Sequence, residues 1–367
     1  MDKKLIKRLD FTLIAVVFLL NIISILAIGS ATQAGASGPE RYYYMQRQGI
    51  FFLINIILVI LSLRIDYRNL KNIAKELYIG NIVILIAVML VGKTALGAQR
   101  WIQIGPISIQ PSEFSKIIMI VTFAAMLEYW KDNLQRVKDL LPVFLFMIVP
   151  TALVMKQPDL GTSLVFFAVA LGMLFVAGIN VRIVWGGFIA ALAAMPLFWK
   201  IMHEYQRNRI RVFLDPELDP LGSGYHVIQS KIAIGSGLIF GKGFMQGSQS
   251  QLSFLPENHT DFIFAVVGEE FGLIGCLVVL LLYAILLYRG VRIAMTASDD
   301  FGCFIATGIV SMTIFHIMVN IGMTTGIMPV TGIPLPFMSY GVSALTINMM
   351  AVGLLLNIHA RRQKIMF

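Results

Sequence analysis

Charge is scarce in this chain. Of 367 residues, 13% are Asp, Glu, Lys or Arg, while 57% are hydrophobic and the mean hydropathy is +0.80. Soluble domains carry about a quarter charged residues, so an ordinary water-soluble fold is excluded. Cysteine is scarcer still. Cys276 and Cys303 both fall in apolar stretches, which argues against a disulfide framework or a cysteine metal site and leaves two small packing residues. Acidic residues are fewer than basic ones, 20 against 29, for a net charge of +9. Such a balance can signal nucleic acid. Here the cations cluster in short connections between apolar runs, where they set membrane topology, so nucleic acid is not an expected partner. An inverted internal repeat of the kind that marks many transporters is also missing from view.

Long apolar runs, by contrast, recur along the whole length. They predict an all-α, polytopic integral membrane protein organised as one domain over 1–367. Ten spans are expected, near 10–31, 46–65, 74–92, 112–130, 138–156, 160–179, 182–203, 262–290, 299–325 and 337–359. The basic start MDKKLIKRLDF and the run from Phe11 to Ile28 are read as a retained first span, because the run is long enough to cross and no cleavage site follows. Most Lys and Arg fall at alternate span ends, in Lys3–Arg8, Arg64–Lys75, Lys131–Lys138, Arg182, Arg289–Arg292 and Arg361–Lys364. That face is therefore cytoplasmic, with both termini inside, and Arg41 is assigned to the opposite face. One connection is long, about 204–261, between spans seven and eight and outside. A loop of that length is commonly functional. Its apolar positions, as in HVIQSKIAI, suggest a segment lying against the membrane or the bundle.

The outer face holds polar groups that topology does not require. In GAQRWIQIGPISIQPSEFSK, Pro111 suits the first turn of span four, with Gln110 or Ser112 near the cap. Glu113 and Lys116 then share a helix face, either as an interfacial ion pair or as a charged pair lining a cavity. Trp101 could anchor at the interface, and Arg100 beside it could bind an anion. In KQPDLGTS, Lys156 and Asp159 flank a turn between spans five and six and add a cation and a carboxylate to the same side. The long loop contributes Arg207, Arg209, Arg211, Lys231 and Lys242. Its glycine run GSGLIFGKG is not a phosphate loop: the spacing is one short, Ser236 stands where Gly is needed, and Gly243 follows the Lys where Ser or Thr is needed.

The stretch LPENHTDFIFAVVGEEFG packs Glu257, His259, Asp261, Glu269 and Glu270 around the start of span eight. Asp261 can be a helix cap answering the dipole. It can equally be a general base, since a partly buried carboxylate among like charges gains proton affinity. His259 could be a hydrogen-bonding group, a ligand or a proton carrier, while Glu269 and Glu270 are deeper and suit bridging between spans. Further on, NIGMTTGIMPVTGIPLPFMSYGVSALTIN contains Pro329, Pro334 and Pro336, which cannot continue a helix. Irregular backbone at membrane depth is tolerated only inside protein or against a cavity. Ser339, Tyr340 and Ser343 then open span ten, as a plain re-entrant turn or as a wall of a substrate site.

These motifs resemble the SEDS family (shape, elongation, division and sporulation) across nearly the whole chain. The carriers are the run from Asn320 through Thr331-Gly332-Ile333-Pro334-Leu335-Pro336 to Ser339-Tyr340-Gly341, together with QPSEFSK, QPDLGT and LPENHTDFIFAVVGEE. GKGFMQGSQSQLSFLPENHTDFIF is more similar to the rod-shape branch than to the divisome branch. One departure is Val342, where the family has a second Gly. The resemblance implies a peptidoglycan glycosyltransferase that polymerises lipid II at the outer face of the bacterial cytoplasmic membrane during cell elongation. It implies a class B penicillin-binding protein as partner within the elongation machinery. The family's catalytic Asp falls on Asp261, its outer-face Trp on Trp101, and its span-four Glu and Lys on Glu113 and Lys116. Arg100, Lys116, Lys156, Arg209 and Lys231 become candidates to balance a departing diphosphate. Asp159, Glu257, His259 and Ser339 complete the expected substrate site. A divalent cation, Mg2+ or Mn2+, could share the charge balancing, with its ligands undetermined. The rival readings are a lipid II flippase and a non-catalytic scaffold for the penicillin-binding protein.

Overall fold

The computed structural model describes residues 7–33, 42–95, 98–105, 107–202, 204–220, 222–252 and 254–362. Lys3, Lys4, Arg41 and Lys364 of the topology argument lie outside them. Ten helices follow the ten apolar runs: α1 (Phe11–Ala31), α2 (Tyr43–Arg64), α3 (Ala74–Val91), α4 (Pro111–Trp130), α5 (Leu141–Lys156), α6 (Leu160–Val176), α7 (Val181–Ile201), α10 (Ile263–Met295), α11 (Asp300–Thr325) and α12 (Val342–Ala360). Two more, α8 (Glu204–Leu214) and α9 (Ser223–Ser236), form in the long connection. Among the described residues, eight helices are long and apolar enough to cross a membrane, α5 only together with the helical turn at 137–140 that precedes it. The two others are α6, which has 17 residues, and α4, which carries Glu113, Lys116 and Glu128 along its length.

Caps set several helix starts. Asp10, Asp159 and Asp299 each accept a backbone N–H in the first turn of α1, α6 and α11. Pro111 occupies the first turn of α4, as its fixed φ favours. At the other end of α11, Gly326 closes the helix in the left-handed conformation. The core runs through α11 and α12, whose surfaces are mostly buried. α11 packs on α4, α6 and α10, and α12 packs on α2 and α4. α7 is the opposite case. It is strongly apolar, and none of its described side chains is buried.

The all-α expectation holds, with one small addition. Residues 93–109 form a small antiparallel meander of β1 (Lys93–Ala95), β2 (Ala98–Ile104) and β3 (Ile107–Ile109). Lys93 pairs with Trp101, and Ile102 with Ile109.

The glycine run of the long connection has a structural purpose. Within α10, Gly272 adopts φ 63°, which breaks the helical ladder. The segment 238–243 fills the break. Lys242 and Gly243 N–H groups donate to the Glu269 and Glu270 carbonyls at 3.0 Å each. Leu273 and Ile274 N–H groups donate to the Leu238 and Ile239 carbonyls at 2.9 and 3.2 Å. A Cβ at Gly237 or Gly241 would collide with the Gly268 or Glu270 carbonyl, so glycine is required by close backbone approach.

Candidate active site at one rim of the bundle

Residues 255–261 form a tight turn that leads into α10. Glu257 sits at φ 50°, its carbonyl accepts from the Thr260 and Phe262 N–H groups, and its carboxylate accepts from the Thr260 hydroxyl at 3.0 Å. The carbonyls of residues 259–261 are each taken by a donor from α11 or from the connection that follows it. Tyr340 N–H donates to His259 O at 2.9 Å, the Ser339 hydroxyl to Thr260 O at 2.6 Å, and Asn320 Nδ2 to Asp261 O at 3.0 Å. Asn320 also donates to Ile333 O at 2.8 Å, and Ser339 Oγ accepts from Leu335 N at 2.8 Å. The proline-rich connection is itself pinned, with Tyr283 donating to Pro336 O at 2.5 Å and Ser24 to Met338 O at 2.8 Å. Irregular backbone at this depth is thus satisfied internally. Asp261 is held by its backbone, which leaves its carboxylate uncommitted to a cap.

Burial, and after it the Glu257 charge, raise the Asp261 carboxyl against the opposing pull of Arg209 and Arg100, to about 6. A group tuned to this range can take a proton near neutral pH. Gly332, at φ 75°, lies against it; a Cβ there would stand 3.6 Å from Oδ2.

The cations converge from separate elements. Arg100, on β2, reaches Asp159 Oδ1 at 3.6 Å. Arg209, on α8, donates to Thr331 O at 3.1 Å. Arg209 and Lys231 line a cavity of about 180 Å³ together with Val212, Val227, Gly326 and Val330. Lys231 lies under Gly326, and α9 is docked there by the Ser230 hydroxyl on Thr324 O at 2.7 Å. Lys156 is exposed at the end of α5 and makes no ion pair among the described residues.

Asp159 is a buried junction. It accepts from Thr162 N and Oγ1, Ser112 Oγ and Gln110 Nε2, all at 3.0–3.1 Å. Gln110 N–H in turn donates to Ser343 Oγ at 3.1 Å. One carboxylate therefore ties the starts of α4, α6 and α12 together and orients Arg100. Trp101, next on β2, is half-buried.

Glu113 and Lys116 form a buried pair at 2.7 Å, with the Lys116 side chain 1% exposed. A buried ion pair is costly unless its hydrogen bonding is completed. Lys116 Nζ also lies 3.4 Å from His316 Nε2. Sequence reasoning missed His316 and the bracing role of Asn320. The signal was present: they are four apart on α11, so they share a face, and His316 sits one turn from the residue that holds Asp261.

Of Glu269 and Glu270, expected to bridge spans, Glu270 does so, while Glu269 instead joins the long connection to the bundle. Glu269 accepts from Lys242 Nζ at 2.7 Å, Gln249 N at 2.8 Å, and Ser250 N and Oγ at 3.1 Å. Glu270 accepts from the Ser30 hydroxyl on α1. Among the described residues no three His, Cys, Asp or Glu side chains gather as a metal site.

The fold and this site define a class: a polytopic helical membrane protein with a tuned carboxylate and facing cations at one rim of its bundle. The family model of FtsW, RodA and SpoVE cell-cycle proteins matches residues 7–364, and the chain belongs to that family. It is 42% identical over 359 residues to the peptidoglycan glycosyltransferase MrdB of Escherichia coli K12, covering 97% of this chain and 95% of that one. It is 38% identical to the stage V sporulation protein E of Bacillus subtilis, over 95% of this chain and 96% of that protein. Among solved structures, a chain from work on the structural coordination of polymerization and crosslinking by a peptidoglycan synthase complex superposes with a TM-score of 0.83. That chain is 30% identical, over 96% of this chain and 98% of its own. The rod-shape-determining protein RodA of Thermus thermophilus superposes at 0.72 with 27% identity, over 97% and 98% of the two chains.

Proposed function

We propose that this protein is a peptidoglycan glycosyltransferase that polymerises lipid II into β-1,4-linked glycan strands during cell elongation. The observation that carries this reading is the pairing of Asp261, held by its backbone and tuned to about 6, with the cations Arg209 and Arg100 in electrostatic range. The names of its relatives support the same activity.

The chemistry follows from the groups. Asp261 accepts the proton of the acceptor sugar's 4-hydroxyl as that oxygen attacks the anomeric carbon of an α-linked sugar diphosphate. The C–O bond to the diphosphate breaks, the centre inverts to β, and undecaprenyl diphosphate leaves with the negative charge. Arg100, Arg209 and Lys231, with Lys116 and Lys156 as further candidates, balance that charge where it develops. Asp261 then releases its proton to water. A divalent cation would find carboxylates only at Asp261 and Glu257 on this turn, short of a three-ligand protein site among the described residues, so no step is assigned to one. The site is assigned to the extracytoplasmic side of the bacterial cytoplasmic membrane, where lipid II is polymerised. A class B penicillin-binding protein of the elongation machinery is the expected partner.

The test is lipid II polymerisation by the purified protein with that partner in detergent. Wild type is expected to make glycan chains and Asp261→Ala none. A folded Asp261→Ala protein that still polymerises overturns the mechanism. Failure of both proteins, with lipid II crossing vesicle membranes instead, favours a flippase. With no membrane to cross, the detergent assay reads chemistry alone.

A further inference from the structure

The first turn of α2 places Tyr43 and Tyr44 beside the candidate active site. The Tyr44 ring lies 5.0 Å from the His259 ring, tilted by 43°, and 5.0 Å from Tyr340, edge-on at 88°. His259 and Tyr340 are 5.7 Å apart, and Tyr43 meets Tyr44 edge-on at 5.4 Å. The guanidinium of Arg47 lies 5.7 Å over Tyr43 and donates to its hydroxyl at 2.8 Å. The cluster is continuous with the catalytic turn: His259 is two residues from Asp261, and its carbonyl accepts the Tyr340 N–H. Yet Tyr43 and Tyr44 remain 48% and 37% exposed. The structure therefore keeps aromatic faces open next to the reacting carboxylate.

Two readings compete. Tyrosines at a helix end commonly anchor it at the membrane interface. An anchor, however, presents its ring to lipid, whereas Tyr44 rests on His259 and Tyr340, on the side of the site. The His259 and Tyr340 rings themselves carry no charge. Burial lowers the proton affinity of His259 more than Glu257 restores it, so the imidazole is uncharged at neutral pH. Burial likewise keeps the Tyr340 phenol protonated. A pyranose matches such a surface. Its axial C–H groups form an apolar face that stacks on an aromatic ring, and its hydroxyl rim meets phenol and imidazole edges.

We propose that Tyr43, Tyr44, His259 and Tyr340 form a saccharide subsite that holds a pyranose ring of the glycan strand beside Asp261. The proposal rests on the glycosyltransferase reading and adds where the polymer lies. Tyr44 is the central ring, and Arg47 fixes Tyr43.

The experiment titrates the purified full-length protein with a soluble, lipid-free β-1,4-linked N-acetylglucosamine–N-acetylmuramic acid oligosaccharide, followed by tyrosine fluorescence or calorimetry. The same preparations are then assayed for the length of chains made from lipid II. Tyr44→Ala should weaken oligosaccharide binding about tenfold, the worth of one aromatic contact, and shorten the chains, while Tyr44→Phe, which keeps the ring face and loses only the hydroxyl, should lose much less of both. Tyr43→Ala, at the more exposed ring, gives a second reading that disturbs packing less. If both alanine variants bind the oligosaccharide as wild type does, the subsite is wrong. A Tyr44→Ala protein that loses only melting temperature in bilayers, with binding intact, marks a membrane anchor and also overturns it. If wild type fails to polymerise lipid II yet binds the oligosaccharide through Tyr44, the subsite stands and the glycosyltransferase reading falls.

Discussion

Asp261 is where single residues decide the outcome. Its carboxyl is raised by burial and Glu257 and lowered by Arg209 and Arg100, to about 6. The ionised form is the active one, so polymerisation should fall about tenfold per pH unit below that value. Glu257→Gln removes a like charge and should move the acid limb to lower pH. Arg209→Gln removes an opposing charge and should move it higher, on top of any loss in diphosphate binding. Initial rates across the acid range check both signs; limbs that stay put in both variants would remove Asp261 as the titrating group. A stability consequence runs alongside. A carboxyl raised above its unfolded value contributes stability below the unfolded value, and that contribution is lost as pH rises through about 6. Asp261→Asn cannot ionise, so it should melt higher than wild type at neutral pH and converge with it in acid. Thermal melts in detergent at two pH values read this directly, and they certify that the inactive variant is folded.

The kink in α10 carries the next argument. A side chain at Gly272 would meet the backbone of Ile239 and Gly241 and would have to adopt φ 63°. Gly272→Ala should therefore expel the 238–243 segment. Glu269→Ala would orphan Lys242, Gln249 and Ser250 together; stripping one partner from such a buried network costs about 3 kcal/mol or more. Both variants should show lowered melting temperature and faster protease cleavage within 238–252, and unchanged cleavage would refute the anchoring role. This part of the fold was not legible in sequence. The apolar runs located the helices to within a few residues, because hydrophobicity over some 20 positions reports the surroundings of the whole element. Gly272, set in an apolar run, looks like any helical glycine; its conformation is imposed by a segment about 30 residues earlier. The meander at 93–109 was missed because its strands are short and bounded by Gly and Gln rather than by clear alternation. At the site, Asp261 was visible because polarity changes abruptly there. Asn320 and Ser339 could be flagged as polar, but not as braces of the 259–261 carbonyls, since that link is tertiary. Tyr44 went unnoticed because tyrosine at a span end reads as an interface residue.

At the scale of the whole molecule, the ion pairs sort by end. Arg289 pairs with Asp10 at 2.5 Å, Arg361 with Asp66 at 3.3 Å, Arg68 with Asp299 at 3.0 Å and Lys71 with Glu128 at 2.8 Å, and Lys131 pairs with Asp300. These contacts gather the N-terminal segment, the C-terminal end of α12 and the α2–α3, α4–α5 and α10–α11 connections at one end of the bundle. They are the segments whose Lys and Arg content assigned them to the cytoplasm. Arg100, Asp159, Arg209 and Lys242 belong to the other end. Apart from Arg289–Asp10, whose carboxylate is buried, these partly exposed pairs are each worth under about 1 kcal/mol, so they record the sidedness of the bundle more than they create it. The sidedness is open to direct measurement. With Cys276 and Cys303 replaced by Ala and Ser, Lys156→Cys and Lys131→Cys sit at the ends of α5 and α4, the first exposed and the second partly exposed. A membrane-impermeant maleimide should label Lys156→Cys in intact cells and Lys131→Cys only after permeabilisation. The reverse pattern would put Asp261 and its cations on the cytoplasmic side, away from where the glycan is built, and would overturn the assignment of the site to the outer face whatever the purified protein does in detergent.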